Sequence, residues 1–180
     1  MQDVSWLLFI YTVPAEPSRK RAFIWRELKK VGAVYLRDGV CILPERADTE
    51  TALREIANKV EQFGGQAVVV QAARLDPARV ESVIAQSRAA RVEEYGEIAR
   101  ESERLLEHVR QETEHREFTS AELEELKADV AKLRRWAEQV RARDYFGVDE
   151  AAAIEAVLGR CEEAVTLFLE DAARGKEARR

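Results

Sequence analysis

Six basic residues crowd into positions 18–30 (SRKRAFIWRELKK): Arg19, Lys20, Arg21, Arg26, Lys29 and Lys30. Closely spaced cations attract phosphates and other oxyanions. Each phosphate contact releases counterions, so such binding weakens as salt rises. At about 100° per residue, Ile24, Leu28 and Val31 gather on one side of a helix, while Arg19, Arg26 and Lys30 gather opposite, with Lys29 flanking. Two readings compete: a phosphate-binding surface, or a solvated helix face whose charges only confer solubility. On charge alone the solvated face is favoured. Trp25 falls on the flank between stripe and core, where packing at the core edge is expected in preference to base stacking.

Other groups with chemical capacity are fewer. Cys41 sits in an apolar run, VCILP. Near basic residues its thiol could ionise and meet an oxidising anion, but the expected reading is a small buried hydrophobe. Cys161 falls on the apolar side of a helix and is expected in the core. His108, Glu112 and His115 stand at i, i+4 and i+7, a spacing that could approach one divalent ion. No second element supplies another carboxylate, so a solvated polar helix tip is expected. The runs Glu93-Glu94, Glu101-Ser102-Glu103 and Glu122-Glu124-Glu125 alternate with arginines at helical spacing and read as ion-pair faces. There is no glycine-rich phosphate loop, nucleophile elbow, CxxC pair or HExxH helix. The expectation is a protein that is not an enzyme and needs no cofactor or metal.

These residues belong to a chain of 180, long enough for one medium domain or two small ones. Apolar residues make up 46% and charged ones 35%, the profile of a folded, helix-rich protein. The formal charge of −5 is unevenly spread. Residues 1–47 carry a net +3 and the remainder a net −8, so any anion-binding surface belongs to the first quarter. The early run Trp6-Leu7-Leu8-Phe9-Ile10 has no basic flank or cleavage site and is too short for a membrane span, which points to a buried strand in a cytoplasmic protein. Two distant cysteines fit free thiols in a reducing compartment.

The elements follow from periodicity. Residues 4–13 read as a strand ending before Pro14, and 18–31 as a helix stopped by Gly32. AVYLR and VCILP are strands joined by Asp38-Gly39, the signature of a tight hairpin with a type I′ turn. That register sets Arg37 opposite Val40, Leu36 opposite Cys41 and Tyr35 opposite Ile42. A second helix starts near Asp48-Thr49, carries Leu53, Ile56, Val60 and Phe63, and ends at Gly64-Gly65. QAVVVQAARL is the fourth strand. The order is βαββαβ, a ferredoxin-like unit over residues 1–75 with both helices on one sheet face.

Asp76-Pro77 is a strong helix start. From there Val80, Ile84, Tyr95, Ile98, Leu105 and Val109 imply one helix of roughly 35–40 residues. Phe118-Thr119 with Glu122 reads as a capping box. The next helix repeats Leu123, Leu126, Val130, Leu133, Ala137 and Val140. Asp149 caps a last helix with Ile154, Val157, Leu158, Cys161, Val165 and Phe168 inward, and GKEARR is expected as a frayed tail. The fold class is thus α+β, with an antiparallel bundle of three helices, long hairpin included, over residues 76–180.

The stretch WLLFIYTVPAEPSRKRAFIWRELKKVGAVYLRDGVCILP resembles the N-terminal domain of the ChrB family of bacterial chromate-resistance regulators. Trp6, Leu7, Leu8, Pro14, Arg21, Trp25, Arg26, Leu28, Lys29, Gly32, Ala33, Leu36, Arg37, Asp38, Gly39, Val40, Leu43 and Pro44 carry the likeness. FGGQAVVV, EEYGEIARE and LRRWAEQVRARDYFG extend it along most of the chain. The resemblance implies a cytoplasmic chromate-response regulator that binds DNA. Longer family members carry a second, chromate-resistance domain after this one, and this chain ends where it would begin. That implies DNA binding without an inducer switch, or a separately encoded chromate-resistance partner.

More distantly, residues 1–75 resemble the ferredoxin-like unit of PaaX-type repressors and of the small CRISPR adaptation nuclease. Those nucleases carry an Asp at the end of the first strand to hold Mg²⁺; Thr12 stands here, so nuclease activity is not expected. PaaX-type proteins have a winged-helix domain for which this chain has no room. DNA contact would therefore fall to the basic helix, through Arg19, Lys20, Arg21, Arg26, Lys29 and Lys30, with a homodimer aligning two such helices. The alternative is a non-enzymatic interaction scaffold whose sheet face and helical hairpin mediate dimerisation or docking.

Overall fold

The computed structural model describes residues 4–72, 74–115 and 119–177. Its elements are β1 (Trp6–Thr12), α1 (Ser18–Lys30), β2 (Val34–Arg37), β3 (Val40–Pro44), α2 (Ala47–Gln62), β4 (Gln66–Ala72), α3 (Pro77–His115), α4 (Ser120–Ala142) and α5 (Glu150–Glu177). They form two compact units. One holds the residues up to Ala89 together with Arg143–Phe146; the other holds Ala90–Ala142 and the residues from Gly147 on.

The first unit is a four-stranded sheet in the order β2-β3-β1-β4, antiparallel throughout. This is how a βαββαβ chain places each helix as a crossover on one side of an antiparallel sheet. Strand alternation divides β1 between two layers. Leu7 and Phe9 face α1 and α2, where they meet Ile24, Leu28, Leu53 and Val60. Trp6 faces the opposite layer with Ile42, and the opening turns of α3 cover it through Val80, Val83 and Ile84. Phe146 joins that layer, its ring 5.9 Å from Trp6. Farther along the same face the cover stops, leaving Ile10, Val68 and Val70 exposed.

The hairpin departs from the expected register. Arg37 pairs with Val40 as anticipated, but Tyr35 pairs with Cys41 and Val34 with Ile42. Leu36 is the extra residue of a bulge, which moves each pairing beyond it by one. The correction puts Tyr35 in the α-helical layer, where its hydroxyl lies 3.0 Å from that of Tyr11. Gly39 has φ +70°, and a Cβ there would stand 2.6 Å from the Tyr11 carbonyl oxygen. The turn therefore sits directly against β1, whose Tyr11 amide donates to the Gly39 carbonyl at 2.8 Å.

Helix ends follow local chemistry. Beyond the α1 C-cap, Val31, the Gly32 amide donates to Lys29 O and the Ala33 amide to Leu28 O, both at 3.0 Å. That pair is a Schellman motif. The same two bonds recur after α2, from Gly64 to Glu61 and from Gly65 to Val60. Helix α2 starts at Ala47, slightly before the expected Asp48-Thr49, and Thr49 is buried with its hydroxyl donating to Pro44 O at 2.8 Å. At α3, Asp76 accepts the Arg79 amide at 2.9 Å as N-cap.

The second unit is helical. Tyr95, Ile98, Leu105 and Val109 of α3 share a core with Leu126, Leu133 and Val140 of α4 and Ile154, Leu158 and Phe168 of α5. Arg134 of α4 bridges Glu155 and Glu162 of α5 at 2.7 Å each, and Arg141 also reaches Glu155. Later α4 residues thus meet earlier α5 residues, so the two helices run antiparallel. The capping box is present: Glu122 accepts from the Thr119 amide, and the Glu122 amide donates back to Thr119 Oγ1. Phe118, read with it, lies outside the described residues. Helix α5 continues through Gly175 to Glu177, so the first half of the expected frayed tail is helical; the last three residues lie outside the described set.

Candidate nucleic-acid interface

Helix α1 is fixed to the sheet by Ile24 and Leu28, both fully buried. Phe23 adds an edge-to-face contact with Phe63 at the end of α2, 5.6 Å between ring centroids. These anchors set the helix's rotation. The other half of its circumference, an arc of about 180°, faces outward and, apart from Ser18 and Ala22, consists of Arg19, Arg21, Trp25, Arg26, Lys29 and Lys30.

The six basic residues expected to act together do not all have the same role. Lys20 turns toward α2, where its ammonium donates to Phe63 O at 3.1 Å and stands 5.6 Å from the Phe63 ring centre. A cation on the C-cap carbonyl neutralises the negative end of the helix dipole, so Lys20 ties two helices together. Lys30 pairs with Glu27 at 2.7 Å on the surface. Lys29 places its ammonium 5.8 Å from the centre of the Trp25 ring. Arg19, Arg21 and Arg26 are exposed and have no ion pair or hydrogen bond among the described residues.

Trp25 corrects the sequence reading. It does not pack at the core edge: it is 50% exposed. The buried stripe of α1 is centred on Ile24 and Leu28, and Phe23 and Lys20 lean toward α2. The flank that carries Trp25 is left with no element among the described residues to cover it. The result is an indole in the middle of a cationic arc, between Arg21 and Lys29 around the helix. Such a surface joins phosphate-attracting charge to a flat ring on which a base can stack. The available signal was the position of Phe23, which claims the α2 side and leaves Trp25 the open one.

The remaining candidates are absorbed by structure. Cys41 is fully buried, and burial pushes its thiol up to about 12, the reverse of what a reactive thiolate needs. Cys161 is buried too, donating to Ser102 O at 3.5 Å, and burial raises its thiol as well. His108 lies 3.6 Å from Glu112, while His115 Nδ1 sits 2.8 Å from the Gln111 carbonyl of its own helix. No group of three or more His, Cys, Asp or Glu among the described residues could hold a metal ion.

A cavity that no sequence motif signals, about 620 Å³ in volume, opens between α3 and α4, lined by Glu101, Arg104, His108, Asp129, Lys132 and Trp136. Its charges are of both signs, with Arg104 already paired to Glu101 at 2.5 Å.

No helix among the described residues is long and apolar enough to cross a membrane. No solved structure matches the chain significantly. Protein ChrB of Cupriavidus metallidurans is 33% identical over 64 residues, a stretch covering 36% of this chain and 20% of that protein. The aligned part is thus about a fifth of that relative's length. The family model described as protein ChrB, N-terminal, matches residues 21–177, from the cationic helix through the last one. A match over that span establishes that the chain belongs to the ChrB N-terminal family.

Proposed function

We propose that this chain is a cytoplasmic, non-enzymatic regulator of chromate resistance that binds DNA through the outward face of α1. The observation that carries the reading is a set of three arginines, Arg19, Arg21 and Arg26, without partners among the described residues and grouped around a half-exposed Trp25. Such arginines can move onto phosphates without first breaking a protein contact, and their planar guanidinium groups suit phosphate oxygens. Lys29 and Lys30 extend the positive field; Lys20, engaged with Phe63, supports the helix instead. Family membership supplies the chromate connection, and the net positive charge of the first 47 residues supplies the attraction for DNA. A homodimer would present two α1 helices to successive grooves. Cys41 offers an oxidising anion no accessible thiolate, so this reading places no chromate chemistry on that residue.

The test is fluorescence anisotropy of a labelled duplex from upstream of the protein's own gene, titrated at several salt concentrations beside a random duplex. Each phosphate that a side chain holds adds about 0.9 to the log–log salt slope. Specific binding whose slope becomes shallower by that amount in Arg19→Ala, Arg21→Ala or Arg26→Ala supports the reading. Absence of binding at low salt overturns it. A second reading, an interaction scaffold, is favoured by the uncovered apolar row of Ile10, Val68 and Val70; a self-associating protein with no affinity for either duplex would select it.

A further inference from the structure

The two edges of the sheet are built differently. Strand β2 has four residues, contains the Leu36 bulge and ends on the exposed Arg37. Short length, a bulge and a charge are the devices by which an edge avoids pairing with another chain. Strand β4, the other edge, has none of them. Its seven residues, Gln66–Ala72, contain no charge and no proline, and they pair with β1 in unbroken register from Trp6↔Ala72 to Thr12↔Gln66. No strand among the described residues pairs with its outer side. Next to that edge lie Ile10, Val68 and Val70, respectively 43%, 56% and 38% exposed and all on one sheet face.

We infer that β4 is the dimerisation edge, pairing antiparallel with β4 of a second copy of this chain about a two-fold axis at Val69. The sequence of the strand selects this occupant. A two-fold axis brings each residue against its mirror position: Val68 meets Val70 of the copy, Ala67 meets Gln71, and Gln66 meets Ala72. A charge at position 69 would face its own kind across the axis, and charges of one sign at 68 and 70 would face each other, an arrangement that destabilises a strand pair; QAVVVQA has none. Aliphatic side chains opposite one another are the favourable case. Pairing joins two four-stranded sheets into one of eight strands and satisfies the outward amides and carbonyls of both edges. The exposed row then runs Ile10, Val68 and Val70 into the same three residues of the copy. This arrangement stands whether or not α1 meets DNA.

The test is sedimentation equilibrium of the wild-type chain and of two double variants, Val68→Lys/Val70→Lys and Val68→Glu/Val70→Glu. All four substitutions lie at exposed positions, and circular dichroism checks that the variants fold. The wild type is expected to sediment at twice 20.5 kDa. Each variant alone is expected to weaken dimerisation by about tenfold or more, and an equimolar mixture of the two to recover it, because Lys then faces Glu. A wild type that stays monomeric, or a dimer that both variants leave intact, overturns the assignment. Should a variant misfold, hydrogen exchange on the wild type decides. Amides of residues 66–72 must become more protected as the protein concentration rises, and no change there overturns it equally.

Discussion

The Tyr145 hydroxyl donates a 2.8 Å hydrogen bond to the carbonyl of Val31, a residue 114 positions earlier in the chain. Val31 is the C-cap of α1, so the bond supplies a partner at a helix end, where carbonyls lack intrahelical donors. Arg46 stands over the same phenol ring, 5.6 Å from its centre. The cationic helix is thus secured at its C-terminus by a segment that arrives from the far end of the sequence.

Replacing Tyr145 with Phe keeps the ring and removes the donor. The expected loss is about 1 kcal/mol of stability in urea titration, the usual net worth of one hydrogen bond. Faster hydrogen exchange in the last turn of α1 should accompany it. An unchanged midpoint would mean that water replaces the phenol without cost.

Trp25 and Leu28 are three residues apart on one helix and should respond oppositely. Leu28→Ala leaves a cavity in a fully buried site and is expected to cost about 2–5 kcal/mol. Trp25→Ala removes a half-exposed ring and should change stability by about 0.5 kcal/mol or less, while weakening duplex binding by about 1–3 kcal/mol if the ring stacks on a base. Thermal melts and anisotropy on the same two variants separate the roles.

The basic residues should divide in the same manner. Lys20→Ala removes the hydrogen bond to Phe63 O and is expected to lower thermal stability with little effect on the salt slope of binding. Arg26→Ala, at a position without a partner among the described residues, is expected to lower the slope and leave the melting temperature in place. Equal effects from both would remove the distinction drawn between supporting and contacting cations.

Gly65 is expected to tolerate no side chain. A Cβ there would lie 2.1 Å from Thr12 O, a backbone atom that cannot swing aside, and 2.9 Å from Val60 Cγ1. Gly65→Ala should therefore cost about 1–3 kcal/mol by overpacking. A denaturant midpoint equal to the wild type would show that β1 can yield.

Cys41 gives a pH prediction. Its thiol, ordinarily near 9.0, is raised to about 12 by burial, so the folded state holds the proton where the unfolded state has begun to release it. Its contribution to stability is complete below about pH 9 and is lost as pH climbs toward 12. Stability of the wild type should thus fall more steeply over that alkaline range than that of Cys41→Ala. Below pH 9 a thiol reagent should modify Cys41 only as fast as the protein opens.

The sequence announced those features whose chemistry is local. Asp76-Pro77 started α3, Gly32 and Gly64-Gly65 ended their helices with paired amides, and Thr119 with Glu122 closed a capping box, because each depends on residues within a turn of one another. Leu36 was misassigned for the opposite reason. Its bulge lies inside a continuous apolar run, where no residue type marks an extra position. The rotation of α1 was legible from Ile24 and Leu28. The exposure of Trp25 had only an indirect signal, the place of Phe23, because it depends on where α2 ends in space and on which flank of α1 that leaves open.

The sheet unit is discontinuous: it includes Arg143–Phe146, with Tyr145 under α1 and Phe146 against Trp6. No single cut through the chain can release it whole, and a fragment ending after α2 and β4 would leave the Val31 carbonyl and the Trp6 face without these partners. During synthesis the same fact becomes a matter of timing. The four strands leave the ribosome early, yet Trp6 gains its Phe146 neighbour and the Val31 carbonyl its phenol donor only after two long helices have been translated.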